Sequence, residues 1–441
     1  MRRFILPLLL ALVAIPVRSQ DIPSILSEIR PDSIKASIQT LADFHTRHTL
    51  SDTVSDTRGI GAARRWIYST LSRYSTQSGG RLNVSYHRFT QAPGRRIPQA
   101  TEIVNVVAVL PGSSPASQNR ILVVSGHYDS ICGSQSDAEC YAPGANDDAS
   151  GTAAVMELAR VMSQYHFDAT IVFMAVAGEE QGLYGAYGWA EQAVRDSLDI
   201  QAMFTNDIIG SPVAADGSKE PFRVRLFADG IPPLRENSVM VQAYLRTGGE
   251  NDLPSRQLAR HIVEVNQTFF PAMHVDMIYR RDRYLRGGDH IAFLEKGYAA
   301  VRFSEPNENY AHQHQNVRVE DGIQYGDLPE FVDAEYVARV AKVNAVALAA
   351  TANAPASPSN VRMDLRGLTN STTIRWAANT EPDLAGYRIV WRETTSPVWQ
   401  HRTDVGLVTE ATLPYSKDNV IFGVQAVNTR GYVSPAVYPL P

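Results

Sequence analysis

Arg120-Ile121-Leu122-Val123-Val124-Ser125-Gly126-His127-Tyr128-Asp129 is an apolar run that ends directly in a histidine and an aspartate. Four consecutive aliphatic residues leave no polar face, as expected of a strand covered on both sides within an α/β sheet. His127 and Asp129 lie two positions apart, so period two puts both on one face where the strand runs out. Downstream the pattern repeats. Ala149 to Tyr165 reads as an amphipathic helix, Thr170 to Ala177 as a strand, Leu183 to Arg195 as a helix and Gln201 to Thr205 as a strand. Upstream, Arg81 to Phe89 and Glu102 to Leu110 read as strands and Gly61 to Tyr74 as a helix. Further along, Phe222 to Phe227 and Gly297 to Phe303 add strands, while Ser255 to Phe269, Asp289 to Glu295 and Val332 to Ala350 add helices. Strands alternating with helices predict an α/β fold, a mostly parallel mixed sheet flanked by helices on both faces.

The pattern changes at Ala352-Asn353-Ala354-Pro355-Ala356-Ser357-Pro358, a small-residue and proline-rich stretch read as a linker over 352–358. Beyond it, short strands at Asn360 to Arg366, Ser371 to Ala377, Ala385 to Glu393, Glu410 to Leu413 and Val420 to Asn428 follow one another with turn residues between them and no helix. Residues 359–441 are therefore expected to form an all-β sandwich, and 20–351 the main domain. Trp376, Tyr387 and the run Gly423 to Asn428 resemble those of a fibronectin type III domain, although Val420 stands where its tyrosine-corner residue usually lies. Such a tail is a spacer or a binder of cell surface or polysaccharide.

Met1-Arg2-Arg3, the apolar run Phe4 to Val17 and Arg18-Ser19-Gln20 match a secretory signal peptide, with cleavage expected near Ser19. The apolar run is short for a bilayer span and contains Pro7 and Pro16, and nothing later is long enough to cross a membrane. An exported chain meets oxidising conditions, so Cys132 and Cys140, its two cysteines, are expected to pair. With 41 basic and 46 acidic residues there is no basic surplus to recruit nucleic acid.

Four further clusters fall at strand ends or in the loops beyond: Asn146-Asp147-Asp148, Glu179-Glu180, Asn206-Asp207 and His312-Gln313-His314. Open α/β sheets gather functional side chains at that edge. Together with His127 and Asp129 they supply the ligands of two divalent metals and a spare carboxylate. Helix capping accounts for Asp148 or Ser150, which precede or begin the helix from Ala149. A ligand bridging two cations needs a carboxylate with both oxygens free, and Asp147 offers one. Glu179 and Glu180 point differently, so one can bind metal while the other faces a water it deprotonates. Three ligating carboxylates against two divalent cations leave one positive charge, which a bridging hydroxide neutralises.

His-Tyr-Asp-Ser at 127–130, Gly-Ala-Asn-Asp-Asp-Ala-Ser-Gly at 144–151, Gly-Glu-Glu-Gln-Gly at 178–182 and the later Asp207 resemble, in this order, the secreted dinuclear zinc aminopeptidases. That metallopeptidase family also contains glutamate carboxypeptidase, the transferrin receptor ectodomain and glutaminyl cyclase. The resemblance implies two Zn2+ ions, with His127 and Asp207 each holding one metal, Asp147 bridging, Glu180 a terminal ligand, Glu179 the general base and Asp129 the support of His127. It also implies a cis peptide between Asp147 and Asp148 and a late histidine ligand. For that ligand His312 is favoured over His314, because Asn316 then falls where the family carries a trailing aspartate. Peptides with a free N-terminus are the implied substrates. Gly288-Asp289-His290 resembles a Ser-Asp-His motif of the family and is assigned to the site wall. The alternatives are a carboxypeptidase or dipeptidase, for which Arg280-Arg281-Asp282-Arg283 would supply a basic pocket, a mono-zinc glutaminyl cyclase, and a binding ectodomain without catalysis.

Overall fold

A computed structural model describes residues 21–231 and 239–441; the expected signal peptide, 1–19, lies outside them. Eight strands form the main sheet: β1 (Asn83–Gln91), β2 (Thr101–Leu110), β3 (Arg120–His127), β4 (Thr170–Val176), β5 (Asp199–Asn206), β6 (Arg223–Ala228), β7 (His274–Ile278) and β8 (Ala300–Ser304), in the order β1-β2-β4-β3-β5-β8-β6-β7. β4, β3, β5 and β8 run parallel, as do β6 and β7. The pairs β1/β2, β2/β4 and β6/β8 are antiparallel. The mostly parallel mixed sheet expected from the sequence is the one observed.

Ten helices accompany these strands among the described residues: α1 (Ile22–Glu28), α2 (Pro31–Ala42), α3 (Gly59–Gln77), α4 (Ala149–Met162), α5 (Glu179–Gly182), α6 (Tyr184–Arg195), α7 (Val239–Arg246), α8 (Pro254–Phe269), α9 (His290–Leu294) and α10 (Ala334–Asn353). Alternation along the central strands sorts their side chains into two cores. Leu122 and Val124 of β3 and Ile171, Phe173 and Ala175 of β4 join the layer of α1 to α4, α8 and α10. Val123, Val172, Met174 and Val176 turn the other way, onto Ala186, Trp189 and Ala190 of α6 and Phe293 of α9. Burial on both faces explains why β3 and β4 read as unbroken apolar runs. β3 connects to β4 on one side, and the chain then returns to place β5 on the other, so the carboxyl end of β3 is a topological switch point where an open sheet leaves a crevice.

Two differences from the sequence reading stand out. α1 and α2 carry Ile22, Ile25, Leu26, Ile34, Ile38 and Leu41 into the main core, a segment whose elements the sequence did not resolve. And α10 extends to Asn353, taking the first two residues of the expected linker. The rest is pinned: Arg120 Nη2 donates to the Ala354 carbonyl at 2.6 Å and Asn428 Nδ2 to that of Asn353 at 2.9 Å.

After the hairpin β9 (Arg318–Glu320) and β10 (Ile323–Tyr325), the tail forms two antiparallel three-stranded sheets. One joins β11 (Arg362–Met363), β12 (Thr372–Arg375) and β15 (Glu410–Leu413); the other joins β14 (His401–Gly406), β13 (Leu384–Glu393) and β16 (Val420–Asn428). Their shared core holds Ile374, Trp376, Tyr387, Ile389, Phe422 and Val424. Arg392 of β13 reaches the main domain, where both oxygens of fully buried Asp252 accept from its Nη2 at 2.9 and 2.8 Å and Arg260 Nη1 donates to Oδ1 at 3.1 Å.

Candidate metal centre

The carboxyl ends of β3, β4 and β5 and the loop leading into α4 deliver the first four acidic or histidine clusters to one rim. Close backbone packing makes this possible: a Cβ on Gly126 of β3 would drive into the backbone of Gly151 and Thr152, and one on Gly151 into the carbonyl of Asn206. Glycine at both sites lets the start of α4 press against the ends of β3 and β5. Asp148 caps α4, accepting from Gly151 N at 3.0 Å, and its carboxylate also takes the amides of His127 at 3.0 Å and Ile208 at 3.3 Å. The capping role read from the sequence is correct, and it ties three elements together. After β4, Gly178 turns with φ +75° and starts α5, whose first two residues are Glu179 and Glu180. At the end of β5, Asn206 turns back to exchange hydrogen bonds with Asn344 of α10, so its neighbour Asp207 faces the rim.

Two ligand groups result, and Asp147 belongs to both. His127, Asp147 and Asp207 form one; Asp147, Glu180 and His314 form the other. His127 Nε2 stands 3.1 Å from Asp147 Oδ1 and 3.9 Å from Asp207 Oδ1. His314 Nε2 stands 2.9 Å from Asp147 Oδ2 and 3.1 Å from Glu180 Oε1. Ligands about 2.1 Å from a tetrahedral ion are separated by roughly 3.4 Å, so these spacings suit zinc. The His127 ring is set for the same purpose. Nδ1 lies 3.2 Å from the Asp129 carbonyl, which fixes it as the protonated nitrogen and leaves buried Nε2, with no hydrogen-bond partner among the described residues, as a free lone pair toward Asp147 and Asp207.

The position of the late histidine corrects the sequence reading. His312, favoured from the sequence, stacks on Phe331 with centroids 3.7 Å apart and belongs to neither group. A left-handed backbone at His314, φ +51°, turns that residue to the rim instead. Asn316, whose position had favoured His312, accepts the Gly133 amide at 3.1 Å and braces the loop closed by the Cys132–Cys140 disulfide. Asp129 also does more than expected. Its Oδ1 is 3.7 Å from His127 Nδ1, too long for a hydrogen bond, while its carboxylate accepts the amides of Glu179 at 3.3 Å and Glu180 at 3.1 Å. The Asp147–Asp148 peptide is cis.

Acids outnumber cations here, and protonation responds. Burial pushes the Glu179 carboxyl well above the ordinary range, with Asp207, Glu180 and Asp289 adding to the rise. Burial works against a charged His314, yet Glu180 and Asp147 raise it to about 11. Acids that raise His314 in this way favour positive charge at the rim. Glu179, half-buried, lines a cleft of about 550 Å³ with Asp147, Glu180, Asp207 and His314, and Arg96, Arg283, Arg286 and Tyr310 stand on its walls.

Several supports escaped the sequence reading. Buried Arg302 pairs with Asp207 Oδ1 at 3.0 Å and Asp282 Oδ2 at 3.1 Å. A lone arginine inside the apolar strand Ala300-Val301-Arg302-Phe303 was its available signal. It also accounts for glycine at 288, since a Cβ there would lie 2.9 Å from Arg302 Nη1. Asp327 Oδ2 accepts the Asp147 amide at 2.7 Å and Asp327 Oδ1 that of Asn146 at 2.8 Å, and Glu305 Oε2 accepts from Asn146 Nδ2 at 2.8 Å. Nothing in the spacing of Asp327 or Glu305 singles them out.

Residues 105–334 match the family model described as Peptidase family M28. The chain belongs to peptidase family M28. A probable zinc metalloprotease of Pyrenophora teres f. teres is 48% identical over 95% of this chain and 86% of its own length. A second, from Leptosphaeria maculans, is 47% identical over 97% and 98%. Among solved structures, the LapA aminopeptidase of Legionella pneumophila shares the fold with a TM-score of 0.53 at 20% identity, covering 78% of each chain. An aminopeptidase from Aneurinibacillus sp. strain AM-1 does so with a TM-score of 0.51 at 16% identity, over 74% of this chain and 95% of that one. The M28 match begins in β2 and ends as α10 starts, so it contains every residue of both ligand groups.

Proposed function

We propose that this M28 chain is a secreted, zinc-dependent exopeptidase that removes the N-terminal residue of peptides at a two-metal centre. One observation carries the reading: the two oxygens of Asp147 face different histidines, Oδ1 toward His127 and Oδ2 toward His314, which is the arrangement of a bridging carboxylate. The description of the close relatives as probable zinc metalloproteases supports zinc as the metal. His127 and Asp207 would hold one ion, Glu180 and His314 the other, and Asp147 both. When bound, the pair supplies Lewis acidity toward a peptide carbonyl and lowers the pKa of a water.

The chain's own residues do the rest. Glu179, on the cleft wall beside both groups, takes a proton from the attacking water and returns it to the leaving amine. Asp129 holds the Glu179 and Glu180 amides, fixing base and ligand relative to each other. The leader-like residues 1–19 and the disulfide support export. Two sheets sharing a core with Trp376 and Tyr387, ring centroids 5.3 Å apart, support a fibronectin type III-like tail.

A second reading, a carboxypeptidase or dipeptidase, draws on the cleft wall. Arg283 and Arg286 line it, both donating to buried Glu308 Oε2 at 3.0 Å, and Arg286 is one-third exposed. Of the basic stretch singled out in the sequence, Arg281 pairs with Asp229 and Arg280 lies over Tyr284. One panel separates the two readings: aminoacyl amides, N-acetylated peptides and C-terminally amidated peptides, each with and without a chelator. The first reading expects N-acetylation to abolish cleavage and C-amidation to leave it intact. The reverse pattern supports the second, and cleavage that survives full metal removal overturns both.

A further inference from the structure

Behind the rim, away from the cleft, residues 46–51 run as a buried segment between α2 and α3. Arg47 at its centre is wholly buried, and its side-chain hydrogen bonds all go to main-chain carbonyls. Nε donates to Tyr128 at 2.6 Å, Nη1 to Leu41 at 2.9 Å and Pro143 at 2.5 Å, and Nη2 to Gly144 at 2.9 Å. Tyr128 lies between His127 and Asp129, and Gly144 lies three residues before Asp147. One planar group thus spans the loop that presents His127 and the loop that presents Asp147. Its main chain repeats the connection. Arg47 N donates to Ser130 Oγ at 3.1 Å, Ser130 Oγ to the Ala142 carbonyl at 2.8 Å, and Ala142 N to the His45 carbonyl at 2.9 Å. Two residues on, Thr49 Oγ1 bonds Gln181, the neighbour of Glu180, and lies 3.5 Å from Asp129 Oδ2.

We infer that Arg47 is a positioning residue that sets the distance between the His127 and Asp147 loops, and through it the spacing of the shared metal groups. The inference rests on the two-metal reading and adds to it a residue outside the ligand set. A guanidinium is costly to bury, and this one has hydrogen-bond partners but, among the described residues, no carboxylate within ion-pair distance. Its planar fork has fixed donor directions, which suits it to hold four carbonyls at set positions. Lysine keeps the charge but offers a single flexible ammonium that cannot reproduce the fork. α2, whose Leu41 carbonyl Arg47 binds, and the segment after it are on this view part of the support of the metal site.

The test is a cobalt titration of chelator-stripped full-length protein, followed by visible absorption, alongside the melting temperature of the metal-free form. For Arg47→Lys we expect cobalt affinity about 10- to 100-fold weaker, the range seen when supports of metal ligands are lost. An altered cobalt spectrum should accompany it, since the ligands are displaced. A variant whose metal-free form melts lower but which binds cobalt with wild-type affinity and spectrum would reduce Arg47 to a general brace and overturn the inference. If Arg47→Lys does not accumulate as folded protein, Arg47→Gln, which removes the fork and the buried charge together, carries the test, and unchanged cobalt affinity and spectrum there overturns it equally. Wild-type protein that takes up no cobalt or zinc would defeat the two-metal reading itself, which keeps the two failures distinct.

Discussion

Charged side chains are buried in two places in this molecule, with opposite consequences. At the contact between the main domain and the tail, one carboxylate, Asp252, meets two guanidinium groups, Arg260 and Arg392, and Gln257 adds a donor at 3.1 Å. At the rim of β3, β4 and β5, four carboxylates, Asp147, Glu179, Glu180 and Asp207, crowd around two histidines, and His127 Nε2 is left without a hydrogen-bond partner. In the first cluster the carboxylate is matched by two cations, although Arg392 Nε and Gln257 Oε1 have no hydrogen-bond partner among the described residues. The second holds more acids than cations and opens into a cleft. Burial of charge therefore does not mark a site; an acid excess with free lone pairs, facing a crevice, does.

The largest effect expected from this contrast is at Glu179. Glu179→Gln should lower turnover by roughly two to four orders of magnitude, as loss of a general base does, while bound metal per chain stays at the wild-type level. Metal analysis beside steady-state kinetics checks it, and retained turnover would remove Glu179 from the mechanism. The first cluster should behave the other way. Asp252→Ala leaves two buried guanidinium groups without their carboxylate and should cost about 3–5 kcal/mol in unfolding free energy, with metal content unchanged in the folded fraction. Denaturant unfolding measures this, and a loss of metal at constant stability would erase the distinction between the two regions.

His261, on α8 beside the same contact, sharpens the comparison through pH. Burial alone lowers its pKa to about 4, and its Nε2 has no hydrogen-bond partner among the described residues. Between pH 6.5 and 4 the unfolded chain binds more protons at this residue than the folded one, so stability rises with pH across that window. The contribution is present above pH 6.5 and is lost as pH falls toward 4, by up to about 3 kcal/mol. His261→Leu should flatten that part of the stability profile, measured by denaturant unfolding at several pH values; an unchanged slope would show that His261 is protonated in the folded state. The smallest effect is expected at His312, where alanine removes one stacked pair and should cost about 1 kcal/mol without weakening metal binding. His314→Ala should weaken metal binding instead, and equal losses at the two histidines would undo their separation.

Local chemistry made much of this legible. His127, Asp147, Glu179, Glu180 and Asp207 could be picked out because each follows an apolar strand or opens a helix, and period two or a tight turn then fixes its direction. The central strands of the main sheet were readable for the same reason: strands buried on both faces are long apolar runs that little else imitates, whereas the edge strand β7, with one buried residue, was missed. The tail strand β14 was not, because its residues His401 to Gly406 are mostly exposed and alternate no apolar face. The His-x-His choice failed because it depends on one left-handed residue, His314, in a loop whose course is set by distant partners.

The sequence by itself determined the fold class, the central strands and the helices between them, and the residue types that gather at the rim, because each depends on neighbours a few positions away. The tertiary structure alone decided which histidine joins Asp147 and Glu180, that Asp129 holds the Glu179–Glu180 turn, and that Arg302, Asp327 and Arg47 stand behind the site. These are contacts between residues far apart in the chain, several of them made through backbone carbonyls and amides that every residue carries, so no local pattern of side chains announces them.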